Sequence, residues 1–297
     1  MTESPLVYHY AAASARQGFL RWLAPFAGFP REIVTHRALV WNFLRREFLS
    51  RFRGSMLGVF WVLIQPLFLF GLYYAVFGLL LGPRLANGQP NPEFAIYLFA
   101  GVIAWSAYAE GAGRACGVVV ENGNLVKKVA FPCELLPVHV VVLALVVYLV
   151  GALVLLAVGI PLGFVHPGAE MLAWPLVLFV HFGFTLGIGL FLATWQVFMR
   201  DASQLLGIAH QALMFASSTF ITLEQIEDAI PGGGRFVQWL PWYQLLQAHR
   251  AVLGVATGDS SLGLWGHLGW AAAWAVVFLF GGYAFFMSRR HKFADLV

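Results

Sequence analysis

The chain has 297 residues, of which 60% are hydrophobic and 11% are charged, and its 18 basic and 14 acidic residues give a formal charge of +4. A soluble domain has about 45–50% apolar and about 25% charged residues, so this composition cannot cover one globule with a water-exposed surface. It excludes a disordered chain, a disulfide-rich secreted scaffold and a soluble nucleotide-handling enzyme. In so apolar a chain the basic excess does not indicate a nucleic-acid partner, and the main solvent is predicted to be lipid.

Six segments approach or exceed the length of about 20 mainly apolar residues that a helix needs to cross about 30 Å of hydrocarbon. None has Asp, Glu, Lys or Arg in its middle, where a charge costs about 2.5–3.5 kcal/mol. The sequence therefore predicts an all-α integral membrane protein with six transmembrane helices. The segments are Met56 to Leu81, Phe94 to Ala109 with an extension into Gly111 and Ala112, Leu135 to Leu162, Met171 to Met199, Ala202 to Leu223, and Leu262 to Met287.

The basic residues are unevenly distributed around these segments. With the N-terminus inside, the outer loops hold only Arg84, Arg235 and Arg250 of the 18 Lys and Arg residues. Because Lys and Arg concentrate in cytoplasmic loops, we predict that both termini lie in the cytoplasm.

The segment 31–53, before the first span, has apolar residues at helical spacing with arginines on the opposite side. This pattern predicts an amphipathic helix at the membrane surface, either as an anchor or as a docking surface for a cytoplasmic partner. The loop between the second and third spans predicts a short helix that Pro132 ends, with Lys127 and Lys128 exposed. From charge alone, this loop is either solvated or close to anionic headgroups.

The stretch 236–246 is apolar but too short to cross the membrane. Pro231 and Pro241 break helices around it, which predicts a re-entrant hairpin dipping into the outer leaflet. An aromatic belt at the interface is the other interpretation of Trp239, Trp242 and Tyr243.

No sequence motif indicates chemistry within the chain. No lysine follows a glycine as a P-loop requires, and Ser, His and Cys form no catalytic or metal-binding pattern. We therefore expect no catalytic residue, metal or cofactor in this chain. The fifth segment is the most polar, either because its side chains bond neighbouring helices or because one face lines a polar pathway. Glu110 and Arg114 are one turn apart and are expected to pair with each other.

Several local patterns together resemble the membrane subunit of type-2 ABC exporters, specifically the permeases that export O-antigen, teichoic acid and capsule. Two departures from the family pattern are Cys133, where Arg is common, and Leu240, where Asn is usual before Pro241. The residues that carry the resemblance are Arg51 to Ser55, Leu57 and Gly58, Trp61, Pro66, Asn124 to Val129, Phe131 and Pro132, Glu134, Pro137, Arg200 and Asp201, Pro241, and Arg250.

The resemblance implies a homodimer in the inner (plasma) membrane, surrounded by membrane lipids, with two ATPase subunits that bind ATP and Mg²⁺ and with an undecaprenyl-linked polysaccharide as cargo. It implies a cytoplasmic segment 1–55 and a six-span domain 56–297 with a coupling loop 120–134, an outer gate hairpin 224–250 and a tail 288–297. A drug or small-lipid efflux permease and an intramembrane transferase are the alternatives. The implied residues are Arg51, Arg53, Asn124, Lys127, Lys128, Arg200 and Asp201 for ATPase coupling; Trp61, Tyr73, Tyr97, Trp105, Tyr108 and Phe215 for the channel lining; and Trp239, Pro241, Trp242, Tyr243 and Arg250 for the outer gate.

Overall fold

The computed structural model describes residues 26, 28–83, 88–127, 132–256 and 262–297, and these residues are all-helical, without β-strands. The predicted coupling residue Lys128 and the outer-loop residue Arg84 lie outside the described residues, as do positions 1–25. The α-helices are α1 Phe29–Thr35, α2 Arg37–Ser50, α3 Trp61–Tyr73, α4 Pro92–Glu121, α5 Gly123–Val126, α6 Leu136–Gly159, α7 Trp174–Phe198, α8 Ala202–Ala216, α9 Leu223–Ala229, α10 Gly233–Trp239, α11 Pro241–Val252, α12 Gly263–Arg289 and α13 Phe293–Leu296.

Five helical stretches in the described part of the chain are long and apolar enough to cross a membrane, and they correspond to five of the six predicted spans. The first stretch is composite, because a 3₁₀ turn (Gly58–Phe60) precedes α3 and a π-helix (Tyr74–Leu80) follows it. The five stretches are Gly58–Leu80, Pro92–Glu121, Cys133–Gly159, Ala169–Phe198 and Gly263–Leu296.

The helix α4 is longer than its predicted span. It begins where the Asn91 side chain accepts a hydrogen bond from the Glu93 amide at 3.1 Å, and it continues to Glu121, well beyond the expected end near Ala112. The prediction stopped at the charged residues Glu110 and Arg114. The helix continues through them because both side chains find partners of opposite charge on other segments.

The helix α4 also forms the centre of the bundle. It packs against α3, α6, α7, α8 and α11 and is buried over most of its length. Small residues permit this close packing: a methyl group on Gly111 would lie 2.8 Å from the Thr185 side chain of α7. A movement of α4 would therefore displace most of the other helices.

The helices α7 and α12 run in the same direction. Gly187 lies against Gly282, where a methyl group on Gly282 would overlap the Gly187 carbonyl oxygen. Further along, the rings of Phe191 and Phe285 are 5.1 Å apart. Residue numbers therefore rise together along both helices, so the chain between them must return from the end of α7 to the opposite end of the bundle.

The return path runs through α8, which is shorter than predicted. The expected span continued to Leu223, whereas α8 ends at Ala216, and Ser217 to Ile221 form a turn before α9. The hydroxyl groups in this turn bond to nearby backbone and side-chain groups: the Ser217 hydroxyl donates to the Met214 carbonyl at 3.0 Å. Such local bonds compete with a continued helix, which explains the early end.

The N-terminal segment is divided into α1 and α2, with the boundary at His36, whereas the sequence predicted one helix. One face of α2 is half-buried and packs against α6, where the ring of Phe43 stacks on His139 at 5.2 Å. The opposite face is exposed, and it includes Trp41 and Arg45. Burial on one face only places α2 along the side of the bundle rather than within it.

Candidate functional site

Two ion pairs attach the N-terminal segment to α4 at one end of the bundle, which is called the inner end because the sequence predicts that it is cytoplasmic. Glu47 pairs with Arg114, and Arg51 pairs with Glu110. The partners are four residues apart on both sides, so each set lies on one helical face. Glu110 and Arg114 were expected to pair with each other, and this prediction is wrong because Glu47 of α2 and Arg51, which directly follows α2, pair with them instead.

The short helix α5 lies at the same end of the bundle and follows α4 after a single residue, Asn122. Asn124 and Lys127 are exposed, whereas Val126 is buried in an apolar cluster that also contains Phe293 of α13. Val297 lies directly over Gly123, where a methyl group would overlap it. The C-terminal tail therefore supports α5 from the side opposite its exposed residues.

The turn between α7 and α8 also belongs to this end. Arg200 and Asp201 are both exposed, and the Arg200 carbonyl accepts a hydrogen bond from the Gln196 side chain at 3.0 Å. The thiol of Cys116 on α4 donates to the same Gln196 side chain at 3.6 Å. The start of α8 is thereby placed at the level of the inner half of α4.

The opposite end of the bundle, called the outer end, is organised around Arg250 of α11, whose side chain is completely buried. Its guanidinium carbon lies 3.5 Å from the centre of the Tyr97 ring, and its Nε donates to the Tyr97 carbonyl at 3.2 Å. Its Nη2 donates to the carbonyls of Ser218 and Thr219 at 3.1 and 3.3 Å. The side chain thus connects α11, α4 and the turn after α8.

Arg250 has no ion-pair partner among the described residues, and its Nη1 has no hydrogen-bond partner there. From the sequence this residue was expected in an outer loop, and in the structure it lies on α11, which packs into the bundle and covers the side chain. Ser218, which receives the guanidinium, has a left-handed backbone with φ of 58°, and the Tyr97 hydroxyl donates to its carbonyl at 3.1 Å.

The connection between α9 and α10 is held by Glu227 of α9. Its carboxylate accepts hydrogen bonds from the amides of Gly232 and Gly234 at 2.9 and 2.8 Å. These bonds hold the pKa of the Glu227 carboxyl below its ordinary value, because they stabilise the charged form. Gly232 has φ of 83°, which suits a residue without a Cβ.

A second polar group links α11 to the bundle. Hydrogen bonds join His249 of α11 to the Tyr148 hydroxyl at 2.7 Å and to the His181 ring at 2.8 Å. All three side chains are buried. His249 was not predicted from the sequence, although its position directly before Arg250, in a largely apolar stretch, is a pattern that could have indicated it.

A family model described as ABC-2 type transporter matches residues 38–248. The chain belongs to this family. It is 25% identical over 270 residues to the O-antigen export system permease protein RfbA of Myxococcus xanthus, which covers 90% of this chain and 98% of that protein. Two proteins with the same description from Klebsiella pneumoniae are 22% identical over 182 residues, which covers 60% of this chain and 66% of each of them.

The chain is thus a multi-pass membrane transport subunit, and its family implies a separate ATP-binding partner. Most residues expected to couple to that partner are exposed at the inner end of the permease, namely Arg53, Asn124, Lys127, Arg200 and Asp201. Arg51 differs because it is half-buried and pairs with Glu110.

The aromatic residues expected to line a channel fall into two groups in the permease. Trp61 and Phe215 are exposed, and Tyr73 is half-buried. Tyr97, Trp105 and Tyr108 are buried within the chain, and the last two pack around His210 of α8 with ring centres 6.1 and 5.3 Å from it. Of these residues, only Trp61, Tyr73 and Phe215 could contact a pathway that lies outside the single chain.

The residues expected to form the outer gate are also divided. Trp239 is 63% exposed and its ring lies 4.9 Å from that of Trp270. Pro241 begins α11 and is buried, as is Tyr243. Trp242 is half-buried and its ring lies 5.9 Å from Tyr108. In the permease, α11 is therefore an internal helix and α10 is the exposed part of the hairpin.

Proposed function

We propose that this permease is the membrane subunit of an ATP-driven exporter that moves an O-antigen-like, lipid-linked polysaccharide across the inner membrane. The observation that carries the proposal is the 25% identity to an O-antigen export permease along 98% of that protein's length. A match of this extent includes the helical bundle and both of its ends. A drug-efflux permease would share the family but not this particular relationship.

The proposed topology has six crossings and both termini in the cytoplasm. Support for the sixth crossing comes from α8, whose contacts run antiparallel to α4: His210 lies at the level of Trp105, and Ser218 at the level of Tyr97. With the turn that follows it, α8 therefore reaches from the level of Cys116 to that of Tyr97, which is about 28 Å at 1.5 Å per residue. In this proposal the hairpin 224–250 is re-entrant on the outer side.

The proposed assembly is a homodimer whose two copies form the pathway between them. The core of one chain is closely packed, so the pathway needs a second copy. The exposed face of α8 includes Gln204 and Gln211, and amides at membrane depth are poorly accommodated by lipid. A second copy would cover these amides and place Trp61 and Phe215 beside the glycan, where aromatic faces bind sugars weakly enough to release them.

The proposed energy source is an ATP-binding subunit, which holds ATP and Mg²⁺ and docks on the inner end of each permease. Support comes from the basic, exposed face of α2 and from the exposed side chains of α5. These two elements meet at α4, through the ion pairs and through direct continuation of the chain. A displacement of either α2 or α5 by the partner would therefore move α4.

The test is ATP-dependent translocation by the permease and its ATP-binding partner in lipid vesicles. Lipid-linked glycan should be transported and should stimulate ATP hydrolysis, whereas a hydrophobic drug should do neither. Stimulation by the drug alone would instead favour the efflux function, and turnover of the lipid-linked sugar without a partner would favour a transferase.

The variant Lys127→Glu tests the docking surface. Reversing one exposed interface charge should weaken partner binding by about tenfold, because like charges would then face each other or a pair would be lost. Lys292→Glu is the matched control, since Lys292 is also exposed at the inner end but belongs to the 3₁₀ turn before α13 rather than to the loop that contains α5. Equal binding of both variants to the partner would contradict the proposed docking site.

A further inference from the structure

The contacts of Arg250 are unusual for a buried cation. Its charge is balanced by backbone carbonyls and by the face of Tyr97, whereas a buried arginine is usually paired with a carboxylate. Its Nη1 points to no acceptor among the described residues. A carboxylate would hold the guanidinium in one place, whereas neutral oxygen atoms can be exchanged for those of water or of sugar hydroxyls.

Because of the position of Arg250, an exchange of its acceptors for water or sugar oxygens would affect three elements of the fold. The side chain belongs to α11 at the end of the outer hairpin, and its acceptors belong to α4 and to the turn after α8. Ser218 in that turn has the left-handed backbone described above, so the contact holds a conformation that most residues avoid. Losing the guanidinium would remove the main polar connection between these three elements.

The helix α4, which supplies Tyr97, carries at its other end the ion pairs to the N-terminal segment. Arg114 and Tyr97 are separated by 17 positions of continuous helix, which is about 26 Å at 1.5 Å per residue. A helix of this kind moves as a rigid element. A displacement of α4 at the ion pairs would therefore displace the Tyr97 carbonyl and ring that hold Arg250.

We propose that Arg250 is a positioning residue that latches the outer hairpin to α4, so that movement of α4 at its inner end releases the hairpin. This rests on the proposed function, because it specifies how the outer gate is held closed. The latch requires Gly101, since a methyl group there would overlap Nη2 of Arg250. Gly113, on the same helix, has no atom within 4 Å of the corresponding position.

The experiment uses the full-length permease with its ATP-binding partner in sealed vesicles that contain a trapped hydrophilic dye. Without ATP, Arg250→Gln should increase dye release by about tenfold or more, since several charge-assisted hydrogen bonds are lost. ATP hydrolysis should continue while glycan export falls. Arg250→Lys should restore part of the closure, because it keeps the charge without the planar group.

The glycine variants test the same latch without removing Arg250. Gly101→Ala should increase dye release and Gly113→Ala should not. In the double variant Gly101→Ala with Arg250→Gln, release should equal that of Arg250→Gln alone, because the methyl group then meets no guanidinium.

The proposal is overturned if Arg250→Gln leaves vesicles as tight as the unmodified permease, or if both glycine variants behave alike. It is also overturned if Arg250→Gln loses membrane content, partner binding and ATP hydrolysis together, and Gly101→Ala causes no dye release, since Arg250 would then serve only folding. Failure of the proposed function is a separate result: the unmodified complex would show no ATP-driven glycan export, whatever its dye release.

Discussion

Reversing the charge of Glu47 should uncouple ATP hydrolysis from export. In Glu47→Arg, the attraction to Arg114 becomes a repulsion between two partly exposed side chains. An exposed pair contributes at most about 1 kcal/mol, and the added repulsion is of similar size, so the total is about 1–2 kcal/mol. Because about 1.4 kcal/mol is a factor of ten, the equilibrium constant for seating α2 on α4 should fall by about tenfold.

The assay is the amount of glycan exported per ATP hydrolysed, with partner binding measured in parallel. Glu47→Arg should lower this ratio while partner binding stays, because Glu47 lies on the half-buried face of α2. The exchanged variant Glu47→Arg with Arg114→Glu should recover most of the ratio. Arg45→Glu, on the exposed face, should instead weaken partner binding. An exchanged variant as defective as the single one would refute transmission through this pair.

Two further outcomes follow from the packing and the charges. Gly282→Ala should lower the free energy of unfolding by about 1–3 kcal/mol, because the added methyl group overlaps α7. Gly281→Ala places its methyl group in open space and should leave the stability unchanged. Thermal unfolding in detergent compares the two variants. The pKa of Glu227 is lowered in the folded hairpin, so its contribution to stability is present above the ordinary carboxyl pKa and is lost as the pH falls through the lowered value. The protection of the two glycine amides, measured as their exchange rate relative to the intrinsic rate at each pH, should therefore fall in acid, and Glu227→Gln should abolish this dependence.

Length and hydrophobicity predicted most of the fold. Apart from the end of α4, the five long helices begin and end near the predicted positions because the need for about 20 apolar residues is set by the bilayer, independently of neighbouring helices. The break around residues 230–241 was also predictable, since Pro231 and Pro241 interrupt a helix locally. A short helix was also predicted in the loop after the second span, and α5 forms there over Gly123–Val126.

Charges within apparent loops were harder to place. Glu110 and Arg114 looked like the end of a span, because a sequence does not show which distant residue will neutralise a charge. Arg250 looked like an outer-loop residue for the same reason, and its acceptors are backbone carbonyls from positions 97, 218 and 219. Carbonyl groups occur at every position, so no sequence pattern marks the ones that will bind a guanidinium.

The amino-acid sequence by itself determined that this chain is a membrane protein, where most of its helices lie, and which face of the N-terminal segment is basic. These properties follow from the solubility of individual side chains and from local helix geometry. Only the tertiary structure decided that α4 connects the ion pairs at one end to Arg250 at the other. That connection depends on contacts between residues up to 153 positions apart, and the packing of whole helices brings them together.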